Sequence, residues 1–313
     1  MSLTRGQWGR GFMLWLLLVS TTLLVAMIVE WMGRKLFYDG WQRARYAAVR
    51  NTRKGTLFGF AEPAMGWMPT DIRALILKDV RTFFRDPAQW SQGLIFFGLL
   101  ALYFLNLRNL NYHILPAQWR NLISFLNVFS VSAVLCSFGS RFVYPQLSLE
   151  GHGFWIIGMA PTTMGRVLVA KFIVACAGMS VVSVALMYLS TKMLIVDPLT
   201  QAVAIGVALS ISISISGLST GLGAVFLDLK QPNPAAIVSS FGGTLNLVLS
   251  IIYMFGAIVP YGFVFHLYYN GHLGGGEMRT GLAIATLWLF AITLLTAVLP
   301  LHIGNRSLRR REY

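Results

Sequence analysis

The segment RFVYPQLSLEGHGFWIIGMAPTTMGRVLVAK, residues 141–171, lies between two apolar runs, 119–140 and 167–189. Each run is near the roughly 20 residues that a helix needs to cross a bilayer. The segment therefore reads as a loop joining two membrane spans. Pro145 starts a turn, Glu150 opens a short helix, and Gly151 and Gly153 frame a hinge. Phe154, Trp155, Ile156 and Ile157 then form an apolar patch. An apolar-aromatic helix with an acidic start is suited to a groove on a soluble partner. The alternative is that Phe154 and Trp155 anchor the loop in the membrane interface.

Working outward, further apolar runs occupy 11–32, 92–107, 202–227, 237–259 and 281–302. With the two flanking runs they make seven spans, and the expected fold is an all-α polytopic membrane protein. Composition agrees: 56% of the 313 residues are hydrophobic and 12% charged, against about 25% charged in an ordinary soluble domain. That excludes a disordered chain and weighs against a soluble enzyme. The first run is too long, and too heavily followed by basic residues, for a signal peptide, so it reads as a retained span. ISISISG (211–217) alternates like a strand, but an isolated strand would leave its backbone unsatisfied in lipid, so a helix is expected.

The formal net charge is +14. Because the basic residues sit between apolar runs, nucleic acid is not the expected partner. Placing 33–91 in the cytoplasm puts 19 of the 25 Lys and Arg on that side, as the positive-inside rule requires. The N-terminus is then outside and the C-terminus inside. Residues 33–69 read as a basic cytoplasmic linker. Thr70 is the expected cap of an amphipathic helix, TDIRALILKDVRTFFRD, whose charged face keeps it along the membrane surface.

Several patterns resemble chemistry without its context. Residues 217–221, GLSTG, match a hydrolase pattern that needs a strand-to-helix turn; glycines for close helix packing are the better account. The five histidines are scattered and give no metal site. Gly274–Gly276 is not followed by the Lys-Ser/Thr of a phosphate loop. Cys136 and Cys176 read as small packing residues. Asn127, Ser130 and Ser137 share one side of their helix, as do Asn246 and Ser250. They are candidate pathway contacts, with interhelical packing an equal account. PYGFVFHLYYNGHLGGGE (260–277) is apolar but broken by Pro and Gly; it is expected to be an outer re-entrant or interfacial element.

Three ordered motifs carry a resemblance: KDVRTFFRDPAQWSQ (78–92); RFVYPQLSLEGHGFW with APTTMGRVLVAKF; and GLGAVFLDLKQPNPAAIVSSFGG (221–243). Together they resemble the membrane (permease) subunit of a bacterial ATP-binding cassette exporter of the type-two group, from about residue 71 onward. The resemblance implies one N-terminal span (1–32), the linker (33–69) and a six-span exporter core (70–313). It also implies a connecting helix at 70–86, a coupling helix at 150–159 and an outer re-entrant element at 260–276 that includes Pro260, Tyr261 and His266. Coupling would fall to Glu150, Gly151, Phe154 and Trp155. A hinge to the first core span would fall to Lys78, Asp79, Arg81, Arg85 and Asp86.

The implied partners are cytoplasmic cassette ATPase subunits, which would hold ATP and Mg, a second permease half (another chain or a second copy) and membrane lipid. This chain would carry no cofactor and no catalytic residue, and its place would be the bacterial inner membrane. Other classes remain open on the sequence: a non-transporting membrane scaffold with the same fold, or an intramembrane hydrolase using Ser219.

Overall fold

The computed structural model describes residues 8–34, 65–85, 93–94, 98, 117–194 and 198–310. All but residues 93, 94 and 98 of the expected span at 92–107, most of the linker and Asp86 lie outside the described residues. Internal contacts divide the chain into two units, Met1–Leu57 and Phe58–Tyr313. The first contains α1 (Trp8–Met32), whose residues 11–32 are long and apolar enough to cross a membrane. Thr21 and Thr22 return their hydroxyls to the Leu18 carbonyl, which removes the cost of placing them in an apolar helix.

The second unit contains α2 (Thr70–Arg85), α3 (Ala117–Phe138), α4 (Phe154–Met159), α5 (Met164–Leu194), α6 (Pro198–Val225), α7 (Pro234–Val238), α8 (Phe241–Tyr269) and α9 (Gly275–Arg309). Among the described residues all regular structure is helical, and six helices are long and apolar enough to cross a membrane. ISISISG lies inside α6, as a helix rather than a strand.

α6 is the most enclosed of these helices, which explains its serines. Ser212, Ser214 and Ser216 are all fully buried, so their hydroxyls meet protein on more than one side of the helix. Ser212 donates to Ser183 of α5 at 2.8 Å, and Ser214 accepts from Thr296 of α9 at 2.9 Å. Lipid supplies no hydrophobic force between helices, so close packing and such hydrogen bonds hold the bundle.

The glycines of 217–221 serve that packing. A Cβ on Gly217 would lie 2.6 Å from the Ala297 Cα, and one on Gly221 would strike the Pro300 backbone. Gly304 answers from α9, where a Cβ would lie 2.7 Å from the Gly221 carbonyl. Ser219 is fully buried in the middle of a continuous helix. The strand-to-helix turn that the hydrolase pattern requires is therefore absent.

At the end of α3 the chain widens into a π-turn, Gly139–Val143, where Gly139 meets the Ile215 side chain. Two 3₁₀ turns follow, Tyr144–Gln146 and Ser148–Gly153. Gly151 has φ +54°, a conformation that favours glycine, and it reverses the chain into α4. The expected helix over 150–159 is thus two elements, a 3₁₀ turn and α4.

The structure corrects the outer element. α8 does not end at 259; it runs unbroken through Pro260 and Tyr261 to His266 and Tyr269. A tight turn with Gly271 at φ +75° then leads into α9. Pro260 has no N–H to offer the Gly256 carbonyl one turn back. The Trp288 indole of α9 fills that vacancy at 3.0 Å, which is why the proline does not break the helix.

Trp288→Phe should therefore destabilise the solubilised protein by about 1–2 kcal/mol, the cost of an unsatisfied carbonyl. Gly221→Val should cost more, because backbone rather than side chain must move. Thermal unfolding of the detergent-solubilised chain checks both; an unchanged midpoint would contradict this packing.

Candidate functional site

α2 turns Ile76 and Leu77 inward and carries Lys78 and Asp79 beside them. The following loop supplies Glu150, and α5 supplies Lys171 about two turns from its start. The structure brings these four together. The Lys171 ammonium donates to Asp79 Oδ1 at 2.8 Å and to Glu150 Oε1 at 2.5 Å. Lys78 donates to the same Glu150 oxygen at 2.6 Å and lies 3.5 Å from Asp79. Two cations and two carboxylates balance.

Lys171 is 3% exposed and Asp79 7%. A buried ammonium is costly unless paired, and two carboxylates from two different elements pair this one. A second fastening repeats the pattern at the start of α2. Arg166 of α5 donates to Asp71 at 2.9 Å and Thr162 does so at 3.1 Å. The Arg166 hydrogen bond, against some desolvation, holds the Asp71 carboxyl below the ordinary carboxylate range. α2 is thus tied to α5 at Asp71 and Asp79, with Glu150 joining the loop to both helices at the second point.

The apolar patch of α4 divides in two. Phe154 and Ile157 turn inward against Leu147, Leu227 and Leu308, with Phe154 only 1% exposed. Trp155, at 55% exposure, points outward with Ile156 and Met159. The helical period places 154 and 157 on one side and 155, 156 and 159 on the other. Of the two aromatic residues expected in coupling, Phe154 is turned into the bundle and Trp155 is exposed. The neighbouring loop braces the base, where Ser148 Oγ accepts from the Asp228 N–H at 3.1 Å.

Of the other expected hinge residues, Arg81 is half-buried and Arg85 exposed. The expected pathway residues make contacts within this chain, while Asn127 Oδ1, Asn246 Oδ1 and Ser250 Oγ are buried without a partner. Asn127 pairs with Ser190, and Asn246 donates to Ser140 at 2.9 Å. Ser130 and Ser137 bond back to carbonyls of their own helix at 2.8 and 3.0 Å. The Ser250 carbonyl accepts from the Cys136 thiol at 3.6 Å. Tyr261 donates to Thr286 at 3.0 Å, and His266 is exposed beside Asn270. Among the described residues no group of His, Cys, Asp or Glu is arranged to hold a metal ion.

Reading the sequence missed Lys171, which near a helix end is expected to snorkel to the interface, and it missed Asp71 and Arg166. The available signal was that Lys171 is the single charge inside the run 167–189. A lone cation in a span calls for a carboxylate partner, and α2 offers two.

A family model described as putative ATP-binding cassette matches residues 1–313, and the chain belongs to that family. Comparison with curated proteins and with solved structures returned no match. None of the six lysines follows a glycine, so the sequence contains no Gly-Lys of a phosphate loop.

Lys171→Met should destabilise the protein by about 3–5 kcal/mol, because two carboxylates lose their buried partner. Adding Asp79→Asn and Glu150→Gln should recover most of the loss; a triple variant no better than the single one contradicts the pairing. For Asp71 the carboxyl value is lower folded than unfolded. Its contribution is present above about pH 4, the ordinary carboxylate range, and is lost as pH falls through the lowered value. Asp71→Asn should flatten the acid limb of a stability-versus-pH curve.

Proposed function

We propose that this chain is the membrane-spanning permease half of an ATP-binding cassette exporter in the bacterial cytoplasmic membrane. Its N-terminus lies outside and its C-terminus in the cytoplasm. ATP and Mg are bound by separate cassette subunits, consistent with a sequence that lacks a Gly-Lys phosphate loop. α2 is the connecting helix and α4 the coupling helix.

The observation that carries the reading is the four-charge cluster beneath α4. A helix that transmits a push must be stiffly joined to what it moves. Glu150 joins the base of α4 to the surface helix through Lys78 and to a span through Lys171. Trp155, Ile156 and Met159 offer the cassette an apolar face, while Phe154 and Ile157 hold the lever to the bundle. Closure of the cassette dimer displaces α4, and α2 and α5 move with it. The bias comes from tighter ATP binding by one of the two conformations. The cargo path runs between this half and a second one, another chain or a second copy.

Trp155→Asp tests the reading in the purified complex of the chain with its cassette subunits. ATP hydrolysis should lose its dependence on the permease while the chain's own thermal midpoint stays within about a degree of the wild type, since surface substitutions change stability little. Full stimulation by the variant in an intact complex would contradict the coupling role and favour a scaffold.

A further inference from the structure

The charges on the side of α2 and α4 are largely spent on one another. Asp71 takes Arg166, and Asp79 and Glu150 take Lys171 and Lys78. Arg306 and Arg309 in the last turn of α9, and Arg310 at its C-cap, are all exposed and have no carboxylate partner among the described residues. Their position relative to the rest of α9 says what they face. Ile284, Leu287, Leu295 and Val298 are each more than half exposed. At 100° per residue they fall on one stripe. Continued along the same stripe, the next positions are His302, Arg306 and Arg309. From Ile284 to Arg306 the helix rises about 33 Å, close to the roughly 30 Å of a hydrocarbon core. An exposed apolar stripe of bilayer length thus runs directly into Arg306 and Arg309, with Arg310 beside them, and none of the three has a carboxylate partner among the described residues.

We propose that the end of α9 is a binding site for an anionic phospholipid. The acyl chains lie along the Leu295–Val298 end of the stripe, within one leaflet, and the headgroup phosphate is held by Arg306, Arg309 and Arg310. Guanidinium groups pair with phosphate through parallel N–H···O bonds and are the suited donors here. The last turn of a helix also favours cations over anions, which secures the arginines themselves. A free phosphate would account for the arginines and leave the continuity with the apolar stripe unexplained; a lipid accounts for both. Leu308, between the arginines, is fully buried against Phe154, Val167 and Leu227. Headgroup occupancy therefore bears on the same cluster that seats α4.

The test uses the full chain in phosphatidylcholine nanodiscs with a rising fraction of phosphatidylglycerol, reading the thermal midpoint. The wild type should be stabilised as the anionic fraction rises. R306Q/R309Q/R310Q should need a much higher fraction for half the effect, by about fivefold for each arginine removed. Arg279→Gln, at the opposite end of α9, should titrate as the wild type. If the triple variant folds poorly, the single variants give the same reading in graded form. A triple variant with the wild-type response overturns the site. Inorganic phosphate giving the full effect in pure phosphatidylcholine overturns the lipid assignment. None of these measurements involves ATP hydrolysis, so their failure is separable from failure of the exporter reading.

Discussion

A buried ammonium needs its counter-charges in place, and the arrangement of α2, the loop and α5 follows from that one constraint. Lys171 sits at 3% exposure between Asp79 and Glu150. Removing either carboxylate, or letting either element drift away, would leave charge in a medium that solvates it poorly. α2, the loop turn and α5 are therefore held as one piece. Lys78 completes the balance from the more exposed side, so the cluster is neutral without recruiting further groups. Gly151 lets the loop reverse immediately after Glu150, which brings α4 out at the edge of this joint rather than away from it.

The bundle above depends on a different economy. α6 is packed on most sides, and its glycines and serines replace the large apolar side chains of a soluble core. Gly217, Gly221 and Gly304 let two backbones approach where any Cβ would collide. The hydroxyls of Ser212, Ser214 and Ser216 are then enclosed and find partners on α5 and α9. Pro260 shows the same logic in reverse: the carbonyl it leaves unpaired is answered by Trp288 from the neighbouring helix.

Length and hydropathy made the all-helical membrane architecture legible, because the bilayer allows few alternatives. The amphipathic pattern of 70–85 likewise announced a helix with one buried face. Two things were hidden. The continuity of α8 through Pro260 depends on a donor 28 residues further along, which no local pattern contains. The division of the α4 patch was a matter of helical phase that 154–157 alone leaves open; it takes the structure to show that Phe154 and Ile157 are the pair turned inward. The charge cluster was half visible: Lys78, Asp79 and Glu150 stood out as hinge and coupling residues. Lys171 did not, because proximity to a helix end suggested escape to water. What decides its burial is the packing of α2 across the start of α5, a tertiary fact.

In the proposed exporter, α4 presents its outward face to an ATP-hydrolysing partner and transmits movement to α5 through the joint beneath it. The most direct measurement is site-specific crosslinking from a cysteine placed at Met159, in membranes, followed by mass spectrometry of the linked chain with and without trapped ATP. If α4 couples to the cassette, Met159 crosslinks to a separate chain bearing a phosphate-loop sequence, with a yield that changes when ATP is trapped. Crosslinks to lipid or to this chain alone, unchanged by nucleotide, would contradict it.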